Sequence, residues 1–232
     1  MIEEPVKLTI RKPSRRPNAD QIVAFEGVPT GFIVDAMDGI GALSPEIRPV
    51  GDGRDLPYNF VGPALTVDTG PADILALLGA LKFIQAGDVV VSSFSDYQHC
   101  AACGDRLAGM MKNNGAKALV TDGPVRDYAG IVEVGLPIWC KGINPNSPVG
   151  QGPGKIGMPI QIGGMEVETG DMVVADRDGV IVVPYEIIDE VIKRLVRIKE
   201  LETALDKEVV DGLKLPAAIE TLLESDQVRF ID

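Results

Sequence analysis

The stretch C-G-D-R-L-A-G-M-M-K-N-N-G-A-K-A-L-V-T-D-G-P-V-R-D, from Cys103 to Asp127, decides how this chain reads. Leu107, Met110 and Met111 recur at helical spacing, Asp105 stands where a capping residue is wanted, and Gly115 closes the run. The first turn of such a helix leaves the N–H groups of Gly104, Asp105, Arg106 and Leu107 without carbonyl partners, and these attract a carboxylate. Ala118-Leu119-Val120-Thr121 reads as a short apolar strand, and Asp122-Gly123-Pro124 turns the chain sharply. The turn delivers Arg126 and Asp127 side by side. Arginine suits two-pronged recognition of a carboxylate, and aspartate is a hard oxygen ligand for Mg²⁺ or Mn²⁺. If the two ends of the stretch meet in space, one substrate carboxylate finds N–H donors, a guanidinium and a metal together. Each half alone is ordinary, since Asp-Gly is a common turn and Arg-Asp a common solvated face. The composite is what carries the reading.

Outward from this stretch, Ala86-Gly87-Asp88 turns into a strand over Val89 to Phe94, preceded by a helix over Ile74 to Ile84 that is apolar almost all round. Further upstream, a strand covers Val61 to Val67, a loop Gly51 to Asn59, and a short helix Ala19 to Glu26. Thr30 reads as the cap of another helix running to Asp38. Downstream come a helix near Tyr128 to Val134 and a strand Pro137 to Cys140. Asn144 to Gly157 is a long Gly- and Pro-rich loop, of the kind that is functional or packed against a partner. Turns at Gly163-Gly164 and Arg177-Asp178-Gly179 punctuate short apolar runs and predict hairpins. Thr169 to Val174 echoes Ala86 to Val91 as the same turn-into-strand chemistry, not as a repeat. An amphipathic helix spans Glu186 to Leu205, and one more covers Pro216 to Glu224. Strands alternating with helices, followed by hairpins, predict an α/β domain with a mainly parallel sheet beside an antiparallel one.

At 232 residues the chain can bury a sizeable core, and one domain with extensions is expected. The division is an extended arm over residues 1–18, a main domain over 19–185 and a helical extension over 186–232. The arm is basic (Lys7, Arg11, Lys12, Arg15, Arg16) where the remainder is acidic. It is either a loose terminus or an arm laid across an acidic neighbouring subunit. A formal charge of −12 argues against a nucleic-acid-binding surface and requires an anionic substrate to be attracted locally. The acidic start lacks the apolar run of a signal peptide, and the most apolar stretch, Ile74 to Ile84, is too short to span a bilayer. Three cysteines make no disulfide framework, so a reducing cytoplasm is the default.

The pairing of G-[DE]-x-L with D-G-x-x-R-D across a helix and a strand resembles the RraA-like proteins and class II pyruvate aldolases. That family includes 4-hydroxy-4-methyl-2-oxoglutarate aldolase and 4-carboxy-4-hydroxy-2-oxoadipate aldolase. The resemblance runs over roughly residues 28 to 184 and includes V-G-P-A-x-T-V at Val61, A-G-D-V-V-V at Ala86 and G-D-M-V-V-A-D-R-D-G-V at Gly170. It implies a swivelling β/β/α architecture assembled as a trimer or a dimer of trimers. It also implies a lyase dependent on Mg²⁺ or Mn²⁺ and acting on short 2-oxo acids, with Asp127 holding the metal. The substrate carboxylate would meet the N–H groups at Gly104 to Leu107, and Arg126 would stabilise the enolate oxygen. Asp105 would orient water or serve only as a helix cap. In the family a neighbouring subunit's acidic residue assists proton transfer; Glu200, Glu202 and Glu208 are possibilities without a matching motif. Retro-aldol cleavage of a 4-hydroxy-2-oxo acid and decarboxylation of oxaloacetate lead to the same pyruvate enolate. The alternative is a non-catalytic RraA-type regulator that binds an RNA-degrading enzyme.

Rival chemistries are weaker. Cys100-Ala-Ala-Cys103 precedes a helix, as redox pairs do, but lacks their flanking context, and two small buried thiols are expected instead. Zinc lacks a second C-x-x-C. His99 reads as a packed or surface residue, and Lys141 as a solvated strand-end lysine rather than a Schiff base. Ser92, Ser93 and Ser95 sit in no nucleophile elbow.

Overall fold

The computed structural model describes residues 5–231; the first residues of the expected arm, 1–4, lie outside it, as does residue 232. In chain order the elements are β1 (Leu8–Ile10), α1 (Ala19–Phe25), α2 (Thr30–Ala36), β2 (Arg48–Pro49), β3 (Phe60–Asp68) and α3 (Leu75–Ala80). There follow β4 (Val89–Ser93), α4 (Asp105–Asn113), β5 (Ala118–Thr121), α5 (Tyr128–Val134), β6 (Ile138–Cys140) and β7 (Gly154–Ile156). Two hairpins, β8 (Ile160–Ile162) with β9 (Met165–Val167) and β10 (Met172–Ala175) with β11 (Val180–Val183), precede α6 (Ile188–Val210) and α7 (Ala217–Leu223).

The main sheet runs β1-β7-β3-β4-β5-β6-β2, and its centre, β3-β4-β5-β6, is parallel with one helix in each crossover. Alternation along the strands decides the layers, because successive side chains leave opposite faces. Val90, Leu119 and Ile138 pack on Leu77, Leu107, Met111 and Ile131 of α3, α4 and α5. Val89, Val91, Val120 and Trp139 face the other way, onto Ile160, Ile162, Val173 and Val182 of the hairpins. The outer face of the β10–β11 hairpin (Val174, Ile181, Val183) is covered in turn by Phe25, Ile33, Ile188 and Leu195 of α1, α2 and α6. Helices, sheet, hairpins and helices thus stack in that order. The hinge is β3, whose first half (Phe60 to Pro63) pairs with β10 and whose second half (Ala64 to Asp68) pairs with β4. The expected α/β fold, a mainly parallel sheet with a smaller antiparallel one and flanking helices, is what the chain adopts.

Several local expectations change. The arm lies along its own domain: β1 pairs with β7, Arg15 bonds Glu168 at 2.6 Å and Glu186, and Arg16 bonds Asp88. Glycines make room for it, since a Cβ at Gly157 would clash with the Arg11 carbonyl oxygen and one at Gly152 would sit 2.6 Å from that of Lys7. The end of the expected 144–157 loop is therefore β7, which only a distant strand could reveal. Thr30 does not cap α2 but begins it; its N–H and hydroxyl donate to Asp176 at 2.8 and 2.7 Å, so the cap comes from the far hairpin. The Ile74–Ile84 helix is shorter, Leu75–Ala80, while α6 continues past Leu205 to Val210. Among the described residues no helix is long and apolar enough to cross a membrane.

Candidate active site

The segments that leave the C-terminal ends of β4, β5 and β6 stay side by side. Ala102 N–H donates to the Pro124 carbonyl at 2.7 Å, Arg126 N–H to Cys103 at 2.9 Å and Val125 N–H to Gly142 at 2.9 Å. Asp122, the first residue of D-G-x-x-R-D, staples two of these segments by accepting the N–H of Phe94 and of Asp96. Its burial pushes its pKa up, against the pull of those N–H bonds. Gly123 is required by space, because a Cβ there would lie 2.6 Å from Phe94 Cδ1 and 2.9 Å from Ala102 Cβ. These constraints bring the start of α4 against the start of α5.

The meeting point is a cleft of about 730 Å³ lined by Gly104 to Leu107, Arg126, Asp127 and Ser147, with Ile74, Leu78, Met110 and Pro148 as an apolar wall. Gly104, not Asp105, is the cap residue of α4, and no side chain bonds the helix entrance in the way a capping residue would. A Cβ on Gly104 would sit 2.6 Å from Asp127 Oδ2 and 3.3 Å from Arg126 Nε, so any side chain there would displace the Asp127 carboxylate from its present place. Asp127 is exposed and takes left-handed backbone angles (φ 61°), a conformation uncommon outside glycine and one that aspartate adopts more readily than most residues. Arg126 is half-buried; its Nε lies 3.3 Å from Asp127 Oδ2 and its Nη1 donates to Ser147 Oγ at 2.5 Å.

Asp105 is the first residue of α4, and its Oδ1 accepts the Arg106 N–H at 2.6 Å. One of the four expected anion donors is thereby occupied. The N–H groups of Gly104, Asp105 and Leu107 remain first-turn donors, which helix geometry leaves without an intrahelical carbonyl. The Asp105 carboxylate lies over Gly130 of α5, where a Cβ would clash with Oδ2. Arg106 is exposed and Leu107 is buried beneath the turn.

Of the other singled-out residues Cys103 lines the cleft, and the rest fall elsewhere. Cys100 and Cys103 are buried free thiols, and burial pushes Cys103 up to about 12 and Cys140 to about 11. Thiols held protonated in this way are poor nucleophiles and poor metal ligands. His99 is exposed, packs edge-on to Tyr97 with ring centres 5.2 Å apart, and does not line the cleft. Lys141 lies in a separate hollow beside Gly163-Gly164, 2.8 Å from both Glu46 and Asp96. Its burial disfavours charge, but the bonds to Asp96 and Glu46 outweigh it and raise the pKa, so the amine stays protonated. Ser92 and Ser93 are buried in β4, Ser93 and Ser95 line the Lys141 hollow, and none of the three lines the cleft. Glu200, Glu202 and Glu208 ride on α6 and do not line it either.

Sequence reasoning misses Ser147 and the apolar wall. The 144–157 loop reads as a functional or packed segment, but nothing in its pattern singles out Ser147, which reaches Arg126 only through the fold. Leu78 and Met110 read as core by their spacing, yet each is more than a third exposed at the cleft. Among the described residues no three His, Cys, Asp or Glu side chains converge as a metal cage.

Comparisons with known proteins bear on the family and the fold. The family model RraA-like, described as Aldolase/RraA, matches residues 30–182. A Halalkalibacterium halodurans protein named "Putative 4-hydroxy-4-methyl-2-oxoglutarate aldolase" is 33% identical over 194 residues, spanning 84% of this chain and 90% of that protein. Among solved structures, Streptomyces coelicolor RraAS2, described as an unusual member of the RNase ES inhibitor RraA protein family, superposes with a TM-score of 0.72. It is 28% identical, over 83% of this chain and 100% of that one. The RNA-processing inhibitor RraA from Thermus thermophilis superposes at 0.61 with 25% identity, over 68% of this chain and 93% of that one. With the family model covering most of the chain and with its folding pattern shared, this protein belongs to the RraA-like (Aldolase/RraA) family.

Proposed function

We propose that the chain is a divalent-metal-dependent lyase that breaks a carbon–carbon bond of a short 2-oxo acid. The reaction would be retro-aldol cleavage of a 4-hydroxy-4-methyl-2-oxoglutarate-type substrate, decarboxylation of oxaloacetate, or both, through a pyruvate enolate. The observation that carries the reading is the close approach of Gly104 to Asp127 and Arg126, which sets a helix N-terminus, a carboxylate and a guanidinium in one cleft. The aldolase name of the Halalkalibacterium halodurans relative supports it.

The donor set fits Mg²⁺ or Mn²⁺. Asp127 presents an exposed carboxylate outside any cluster of three acidic, histidine or cysteine side chains among the described residues. Mg²⁺ commonly binds in that way, through one or two carboxylates while keeping several waters. When bound, the ion would supply a Lewis acid that polarises the 2-oxo group. The remaining work falls to the chain. The free N–H groups at Gly104, Asp105 and Leu107 hold the substrate carboxylate and so fix the bond to be broken. Arg126 faces the oxygen that becomes negative when the carbon–carbon electron pair moves onto the 2-oxo group. Ser147 holds the guanidinium in place through Nη1. Asp105, fixed by the Arg106 N–H and by α5, orients water for proton transfer.

The exposed apolar residues Leu201, Leu205 and Val209 along α6, with Ile219 and Leu222 on α7, suit a homo-oligomer, a trimer or hexamer, in which a neighbour supplies further acid. The test of the activity is pyruvate release by the purified protein from oxaloacetate and from 4-hydroxy-4-methyl-2-oxoglutarate with Mg²⁺ present. Absence of turnover on both would favour the second reading, a non-catalytic regulator of an RNA-degrading enzyme. That reading draws on the acidic charge of −12 and on the likeness to RraA inhibitors.

The cysteines stand outside this chemistry. Cys100→Ser/Cys103→Ser is expected to keep pyruvate release within a few-fold of wild type. Native protein should also resist iodoacetamide at pH 8, where a thiol pushed to about 12 is almost wholly protonated. Rapid alkylation of Cys103 in folded protein, or loss of activity in a folded double variant, would return the pair to the chemistry.

A further inference from the structure

The cleft holds a second cation that the bond-breaking step does not use. Arg106 is the second residue of α4, is exposed, and lines the same cleft as Arg126. The two guanidiniums are placed differently. Arg126 is tethered by Asp127 and Ser147, whereas the Arg106 side chain has no ion pair among the described residues. Its backbone N–H is bonded to Asp105 Oδ1, which fixes the residue's place in the first turn while leaving the side chain at liberty. Among the described residues no other lysine, arginine or histidine lines the cleft, and the wall of Ile74, Leu78, Met110 and Pro148 offers a charged group nothing.

Charge makes the same point. Asp105 and Asp127 balance Arg106 and Arg126 within the cleft, on a chain whose net charge is −12. A substrate with two carboxylates needs a local partner for each, and at the reacting end the first-turn N–H groups of α4 take the carboxylate while Arg126 faces the 2-oxo oxygen. We propose that the Arg106 guanidinium takes the second, distal carboxylate, making the protein selective for dicarboxylic over monocarboxylic 2-oxo acids. The proposal rests on the reading of the cleft as a 2-oxo acid site. It assigns Arg106 a part in specificity and none in the bond-breaking step. A carboxylate held by an arginine is a charge-assisted, two-pronged bond, but at an exposed position solvent and salt screen it, so about tenfold selectivity is expected.

A matched pair of ligands tests this. 2-Oxoglutarate and 2-oxopentanoate share the 2-oxo carboxylate and the chain length and differ by the distal carboxylate alone. Titration calorimetry with Mg²⁺ present should show wild type binding 2-oxoglutarate about tenfold more tightly, with the ratio shrinking as salt rises. Arg106→Gln should bring the ratio close to one through loss of 2-oxoglutarate affinity, with 2-oxopentanoate binding unchanged. Arg106→Lys should keep part of the preference, since the charge survives without the planar fork. A ratio that persists in folded Arg106→Gln overturns the proposal while leaving the 2-oxo acid site intact. Asp127→Asn, which removes the charge of the proposed metal ligand, should weaken both ligands. If it weakens neither, or if neither ligand binds wild type, the site reading itself falls and the proposal with it.

Discussion

Arg126→Ala is expected to lower kcat by about 10²- to 10³-fold at saturating metal, with no recovery at any metal concentration. The guanidinium is half-buried, held by Ser147 at 2.5 Å and flanked by Asp127 at 3.3 Å, so it is oriented before substrate arrives. A donor fixed in this way stabilises charge that develops only as the bond breaks, so its loss appears in kcat. Arg126→Lys should recover part of the rate, because an ammonium keeps the charge but cannot bond Ser147 and the substrate in one plane. Rescue of Arg126→Ala by excess Mn²⁺ would mean that the arginine serves the metal site and not the enolate oxygen.

Gly104→Ala should cost about 10²-fold in turnover with little loss of stability, since small misplacements of reacting groups carry penalties of that size. The backbone of Gly104 is extended (φ −130°), which alanine accepts, so the obstacle is space alone. The added methyl would meet Asp127 Oδ2 at 2.6 Å, and an exposed carboxylate can move aside cheaply. The fold survives that movement and the cleft geometry does not. Gly123→Ala makes the contrast, since its methyl would press on the buried Phe94 and Ala102. That overpacking should cost about 1–3 kcal/mol and lower Tm. Thermal melts beside kcat for both variants separate the two effects. A destabilised Gly104→Ala, or one with wild-type turnover, would show that close approach at Gly104 does not serve the reaction.

The central elements are legible in the sequence because local pattern and tertiary role coincide in them. Val89 to Val91 alternate between two buried faces, and Ala118–Thr121 is short, apolar and bounded by turns, so strand is the natural reading of each. The pairing of G-D-R-L with D-G-P-V-R-D is legible as well, through its likeness to a family. What escapes is whatever depends on a distant partner. Thr30 looks like a cap until Asp176 takes that place from the far hairpin. Asp105 has a capping side chain, but the helix starts at Asp105 itself, with Gly104 at the cap position beside Asp127 and Arg126. The basic arm shows its charge without its destination, because Glu168 and Asp88 are remote in sequence. Ser147 sits in a loop without periodicity and gains meaning only where Arg126 meets it.

The most direct test of a metal-dependent lyase centred on Asp127 is the Mn²⁺ dependence of pyruvate release from oxaloacetate, for wild type and Asp127→Asn. The substitution keeps the shape of the side chain and removes the ligand's charge. Wild type should lose turnover to chelator and regain it with Mn²⁺. Asp127→Asn should need far more Mn²⁺ for half-maximal rate and recover part of its turnover in excess metal. Identical Mn²⁺ curves for the two proteins, or turnover by wild type that chelator leaves untouched, would contradict a metal-dependent reaction at Asp127.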